Sequence, residues 1–237
     1  MPSRTTDSNA GADPPHIGTL NEGSIHAALK DMVAEPGDEL EVRLDNFVID
    51  IRRGDLLIEV QTQSFAAMGR KLDALLDRYR IRIVHPVALT TYLHRPSKPV
   101  RRSPKKGSRF SILDELVSVP TLIDHPKFSV DVVLMEVDRY QDHDPTARRG
   151  RGGWRTTDRK IRRIDRWERF ETGADVLGLL PTDLPEVFTT ADIAKGGAAD
   201  RSSAQKLAYI LRALGLITLI DADRRGYRYR LGSDPVA

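Results

Sequence analysis

The stretch FVIDIRRGDLLIEVQTQSF, Phe47 to Phe65, constrains the fold most. Two apolar runs of strand length flank a turn dipeptide there, and each carries one carboxylate. Phe47, Ile49 and Ile51, then Leu56, Ile58 and Val60, alternate as the apolar face of a β-hairpin turning at Gly54-Asp55. Val48, Asp50, Arg52, Leu57, Glu59 and Gln61 form the opposite face. With a two-residue turn, the pairing sets Asp50 directly across from Glu59. Like charges facing each other on neighbouring strands destabilise a sheet, and a divalent cation between them removes the conflict. The hairpin is therefore a candidate metal site. The competing reading leaves both acids facing solvent, paired with Arg52.

Composition sets the frame for that hairpin. At 237 residues, with 40% apolar and 30% charged residues, the chain has the make-up of a globular protein of one large or two modest domains. No apolar run reaches the length of a membrane span, so no membrane partner is expected. The first residues, MPSRTTDSNAGADPPHIG, lack the apolar core of a signal peptide and read as a disordered tail over 1–18. The absence of cysteine excludes disulfides and thiolate-bound zinc and suits a cytoplasmic location.

The net charge of +3 conceals an asymmetry. Glu22 to Glu59 holds ten acids against four bases, whereas Arg95 to Arg109 holds seven bases and no acid. Arg148 to Glu171 holds ten bases against four acids. Basic blocks beside an acidic patch suit a protein that grips phosphates and holds a cation at one spot. Arg-rich loops that only aid solubility give the same composition.

Around the hairpin, Asn21 to Ala34 reads as an amphipathic helix with Asn21 as N-cap, and Leu40 to Leu44 as a strand. Ser64 caps a second helix running to about Arg78, with Phe65, Met68, Leu72, Leu75 and Leu76 inward. Arg80 to Leu89 reads as a buried strand, parallel to its neighbour because of the helical crossover. RPSKPVRRSPKKGSR reads as a basic loop, Ser111 to Val119 as a short helix, and Phe128 to Val137 and Lys160 to Glu171 as strands. RRGRGG, Arg148 to Gly153, reads as a loop. The expected division is 19–172 as an α/β domain, 173–183 as a linker and 184–237 as a second domain. In the last, a short helix capped by Thr189 or Thr190 and a longer one over RSSAQKLAYILRALGLI precede a hairpin turning at Arg224-Arg225-Gly226.

Residues from about Glu22 to Leu89 resemble the PD-(D/E)XK nuclease superfamily. Its signature is an Asp ending one strand, a hairpin, and Glu-x-Lys on the next strand, often joined by an acid on the preceding helix. Asp50 matches the Asp position, Glu59-Val60-Gln61 the Glu-x-Lys position, and Glu22 the helix acid. The resemblance implies a restriction-endonuclease-like mixed sheet flanked by helices. It also implies hydrolysis of phosphodiester bonds with Mg²⁺, or Mn²⁺ in its place, held by Asp50 and Glu59 with Glu22 accessory. Gln61 departs from the signature, because an amide orients by hydrogen bonding but carries no charge and takes no proton from water. Lys71, two turns along the next helix, is a candidate substitute, weighed against an ordinary solvated helix lysine.

Leu184 to Leu231 resembles a winged helix-turn-helix. That resemblance implies that Ser202, Ser203, Gln205 and Lys206 meet base edges and that Arg224 and Arg225, with Arg228 and Arg230, reach phosphates. Arg101, Arg102, Lys105 and Lys106 are further candidates for nucleic-acid contact. Trp154 and Trp167 offer stacking or core packing, and His26, His85 and His125 lack ligand spacing. The reading that results is a Mg²⁺-dependent, endonuclease-like core directed to DNA. Its alternatives are a catalytically inactive nuclease fold that binds DNA, and an adaptor that recruits a protein. RNA as substrate and a homodimer stay open.

Overall fold

The computed structural model describes residues 23–146, 153–196, 199–223 and 226–232. Helix α1 (Ser24–Val33) is followed by a meander of β1 (Glu39–Leu44), β2 (Phe47–Arg53) and β3 (Leu56–Val60). A single 3-10 turn, Phe65–Met68, leads into α2 (Gly69–Leu75), and the chain returns as the long strand β4 (Arg80–Arg95). Next come β5 (Lys98–Arg102), α3 (Leu113–Leu116), β6 (Phe128–His143) and β7 (Trp154–Phe170). The remainder is α4 (Gly173–Leu177), β8 (Phe188–Thr189), α5 (Thr190–Gly196), α6 (Arg201–Ala213), β9 (Ile217–Asp223) and β10 (Gly226–Leu231).

The result is a mixed α/β fold. A seven-stranded sheet runs in the order β1-β2-β3-β4-β6-β7, with β5 folded back on β4. The β3–β4 and β4–β6 pairs are parallel and the others antiparallel. The parallel β3–β4 pair follows from the crossover through α2, as the apolar spacing predicts. The hairpin turns where expected: Arg53 pairs with Leu56, and Gly54 takes the left-handed φ of +61° that a tight turn favours.

Helices cover both faces of the sheet. On one, Leu29 of α1 packs with Ile51, Leu56, Ile58, Val84, Val133 and Met135. On the other, Leu72 and Leu75 of α2 pack with Leu57, Ile81, Ile83, Val130 and Val132. This second layer continues without a break into Phe110, Leu113 and Leu116, then Val176, Phe188, Ile193, Leu207 and Leu211. Lys206 of α6 donates to Asp114 of α3, and the Gly173 N–H donates to Asp124 over 2.8 Å. The C-terminal segment, with its three-stranded sheet β8-β10-β9, thus shares one core with the main sheet.

Several expectations need correction. Leu57, placed on the outer face of the hairpin, is fully buried, because β3 lies between β2 and β4 and is covered on both sides. Ile49 and Ile51, placed on one face, enter different layers. Lys98 to Arg102, read as loop, form β5: polar side chains suit an edge strand exposed along its length. The helix expected from Ser64 to Arg78 is a 3-10 turn, with the Ser64 hydroxyl accepting the Ala66 N–H, followed by a seven-residue α-helix. Strands β4, β6 and β7 extend well past their apolar runs, since their distal halves pair with one another while facing solvent. Helix α1 has Gly23 as its N-cap. Asn21, the accessory acid Glu22, Arg224, Arg225 and 148–152 of the RRGRGG loop lie outside the described residues. Residues 173–183, expected as a linker, include α4, whose Val176 is fully buried.

Because α6 shares its core with the sheet, Leu207→Ala should cost about 2–5 kcal/mol. Urea unfolding followed by tryptophan fluorescence should register that loss in full, although both tryptophans lie on β7. A fluorescence midpoint equal to wild type would show that the two parts unfold independently.

Candidate functional site

A cavity of about 530 Å³ opens where β2 and β3 part, between the N-terminal end of α1 and the start of α2. Asp50, Glu59, Gln61, His26 and Lys71 line it. The ladder between β2 and β3 runs from Arg53↔Leu56 to Ile51↔Ile58, so the next position in register sets Asp50 against Glu59. Beyond that pair the backbones separate. The Val60 N–H donates to the Asp50 carboxylate over 2.8 Å instead of to a β2 carbonyl. A buried N–H needs an acceptor, and the side chain supplies it where the strand does not.

The two carboxyls differ in their surroundings. Burial opposes ionisation of Asp50, but His26 Nε2, 3.2 Å from Oδ2, and the Val60 N–H together hold its pKa below the ordinary value. Glu59 is 8% exposed. Burial pushes its carboxyl up to about 7, with Lys71 opposing the rise and the Asp50 charge adding to it. Lys71 Nζ donates to Glu59 Oε1 at 2.9 Å and to the Val48 carbonyl at 2.8 Å. Gln61, just past the end of β3, turns its Oε1 back to accept the Gln63 N–H at 3.0 Å. Its carbonyl receives His85 Nδ1 at 2.8 Å.

Arg52, the competing partner for the acids, is occupied elsewhere, with Nε on the Gly54 carbonyl and Nη1 3.6 Å from Glu39. Lys71, weighed as a solvated helix lysine, reaches into the cavity. Its position was readable, since it lies three residues after Met68 and four before Leu75 on the edge of the inward stripe. His26 was readable in the same way, three residues before the buried Leu29. Glu41 was missed. It lies on β1 between the pairs Leu40↔Ile51 and Val42↔Ile49, hence opposite Asp50, with a left-handed φ of +53°. It lines the cavity and accepts from Lys30 Nζ at 2.5 Å.

Oxygen donors on adjoining strands facing one cavity are the set that a hard divalent cation prefers. Among the described residues, no three His, Asp or Glu side chains converge closely enough to hold an ion as they stand. The basic candidates lie elsewhere. Arg101, Arg102, Lys105 and Lys106 are exposed, with Arg102 5.6 Å from the Tyr92 ring. Ser202 and Gln205 are exposed on α6, the Ser203 N–H is taken by Asp200, and Lys206 is held by Asp114. None of them lines the carboxylate cavity.

The raised Glu59 pKa fixes a sign. Between its ordinary 4.5 and about 7, the unfolded chain releases this proton while the folded chain keeps it. Stability therefore falls as pH rises through that interval. Glu59→Gln should be nearly neutral at pH ~5 and more stable than wild type at pH ~8, read from denaturant midpoints at both values. A wild-type-minus-variant difference that does not change with pH would refute the raised pKa.

The chain is 30% identical over 190 residues to a protein of Treponema pallidum (strain Nichols) described as "Uncharacterized protein", covering 76% of this chain and 74% of that one. No solved structure matches it. No helix among the described residues is long and apolar enough to cross a membrane. The family model described as Domain of unknown function (DUF8091) matches residues 23–171, from the N-cap of α1 to just past β7, a segment that contains every residue of the carboxylate cavity. The chain belongs to that DUF8091 family.

Proposed function

We propose that this chain is a metal-dependent phosphodiesterase of the PD-(D/E)XK type, acting on DNA. In this reading its sheet is a restriction-endonuclease-like core and β8–β10 with α5 and α6 form a winged helix. The observation that carries the reading is the meeting of Asp50, Glu59 and Lys71 in one cavity at the parting of the hairpin. The element order supports it too, with the helix before the meander and a strand parallel to β3 after the crossover.

Asp50 and Glu59 would hold Mg²⁺ or Mn²⁺, which supplies a Lewis acid and a more acidic bound water. Asp50 suits the task because His26 and Val60 keep it ionised. Lys71 brings the positive charge that Gln61 lacks, and its ammonium would meet charge developing on a phosphoryl oxygen. Gln61, with its oxygen committed to Gln63, keeps its amide N–H groups to orient a water or a phosphate oxygen. The exposed Arg101, Arg102, Lys105 and Lys106, with Ser202 and Gln205 on α6, would hold the flanking nucleic acid.

A second reading has one specific observation in its favour. Lys71 already neutralises Glu59, so the cavity is internally satisfied without an ion. A DNA-binding protein with an inert nuclease fold would have this arrangement.

Asp50→Ala combined with Glu59→Ala should abolish Mg²⁺- or Mn²⁺-dependent cleavage in a screen of single-stranded, duplex and branched DNA with RNA alongside, while DNA affinity stays nearly intact. Lys71→Ala should lower the rate by about 10²–10³ with little change in DNA affinity. Cleavage that survives the double substitution would remove the site assignment. Wild-type protein that binds DNA but cleaves none of the substrates would favour the inert reading.

A further inference from the structure

A second cavity, of about 400 Å³, adjoins the first and shares Gly23, His26, Thr62 and Gln63 with it. Its far wall is the distal half of β6 and β7, where Arg139 and Arg159 stand directly opposite each other in the ladder. Two guanidiniums at facing positions repel, as two carboxylates do. Elsewhere on β7 the arginines are neutralised: Arg162 by Asp138, Arg163 by Glu136, Arg166 by Glu168 and Arg169 by Asp131.

Among the described residues, neither the Arg139 nor the Arg159 guanidinium has a carboxylate partner. The Arg139 Nε–H is buried with no acceptor, and burial together with Arg159 lowers the pKa of Arg139. The one carboxylate on the wall, Asp158, accepts from the Ser24 hydroxyl at 2.6 Å and from the Arg159 backbone N–H at 2.7 Å. Thr91 and Thr156 add hydroxyls to the same wall. An oxyanion with several acceptor oxygens would satisfy the orphaned N–H and relieve the repulsion at once.

We propose that Arg139 and Arg159 form a phosphate pocket, which takes a phosphate group of the nucleic-acid strand whose neighbouring phosphodiester lies over Asp50 and Glu59. The strand is supplied by the function proposed above; the anion site itself is independent of it. Adjacent cavities, one acidic and one basic, with a common wall suit a polyanion that presents one phosphate to each. A substrate strand would then be gripped beside the reacting bond rather than only at distant basic surfaces.

Titration calorimetry of the full chain in EDTA tests the pocket, with inorganic phosphate as probe. Arg139→Gln with Arg159→Gln should weaken phosphate binding about tenfold or more, the equivalent of one charge-assisted hydrogen bond or more. Arg43→Gln, on the exposed strand β1 and outside both cavities, should leave it unchanged. In phosphate-free buffer the double arginine variant should melt at or above the wild-type temperature, since it removes a repulsion. Arg159→Glu, which gives Arg139 an internal partner, should raise the melting temperature and abolish binding. Wild-type affinity in both arginine variants, or no phosphate binding by the wild type, would overturn the pocket.

A tetranucleotide with a 5′-phosphate and its 5′-hydroxyl form then separate the sources, measured on Asp50→Asn protein. Tighter binding of the phosphorylated form, lost in the arginine variant, assigns the pocket to a terminal phosphate. Equal binding of both forms, lost in that variant, assigns it to an internal diester. Oligonucleotide affinity indifferent to the arginines would overturn the assignment to the strand. Arginine-dependent binding without cleavage of any substrate leaves the pocket standing and removes only the hydrolytic reading.

Discussion

The hydrogen bond from the Val60 N–H to the Asp50 carboxylate is the interaction on which the rest of the site depends. It replaces a ladder bond at the point where β2 leaves β3, and an orphaned buried N–H there would cost about 1–3 kcal/mol. The separation of the strands explains why Ile49 and Ile51, two residues apart, enter opposite layers of the core. It also leaves room at the end of the hairpin for side chains from both helical layers. His26 arrives from α1 and Lys71 from α2. A hairpin with an uninterrupted ladder would have no such opening.

Charge across the sheet is mostly set against its opposite. Along β6 and β7, acids and arginines face or flank each other, and Asp131 both engages Arg169 and lies 3.9 Å from Arg82. Asp138 likewise holds Arg162 and His94. Two like-charged pairs stand against this at the cavities, Asp50 with Glu59 and Arg139 with Arg159. Both pairs occupy facing positions, both line cavities, and the cavities touch. In both, desolvation works against the charged form of one member, raising the Glu59 pKa and lowering that of Arg139. Unfavourable charge kept in otherwise well-paired strands is the feature on which both proposed ligand sites rest.

The hairpin was legible because a two-residue turn and a period of two together fix the register. That is how Asp50 and Glu59 are identified as neighbours from the sequence. The second buried face of β3 was not legible, since burial on both sides depends on which strand follows, a non-local fact. Glu41 was hidden for the same reason: its place opposite Asp50 requires the β1–β2 register, and no turn signal sets that register as tightly. The polar halves of β4, β6 and β7 carry Arg, Lys and Asp where apolar alternation is the usual sign of a strand. They form strands because each backbone has a neighbour to pair with. Arg139 opposite Arg159 follows only after that pairing and its β-bulges are known.

Lys71 shows why linear spacing was a poor guide to the third group. A lysine two residues after Glu59 would point from the end of β3 itself, fixed by the strand. Lys71 comes instead from α2, and its ammonium spans Glu59 on β3 and the Val48 carbonyl on β2. It closes the gap between the two strands on the far side of Asp50 and so serves the hairpin as a clasp as well as a counter-charge. A cation entering the cavity would compete with it for Glu59, and the freed ammonium, still tethered near Val48, would face whatever anion the cation brings. The inert and the hydrolytic readings therefore share one geometry. They differ in whether the Lys71–Glu59 contact is weaker than the attraction of two buried carboxylates for a divalent ion, since burial, the main cause of the raised Glu59 pKa, disfavours an uncompensated charge there.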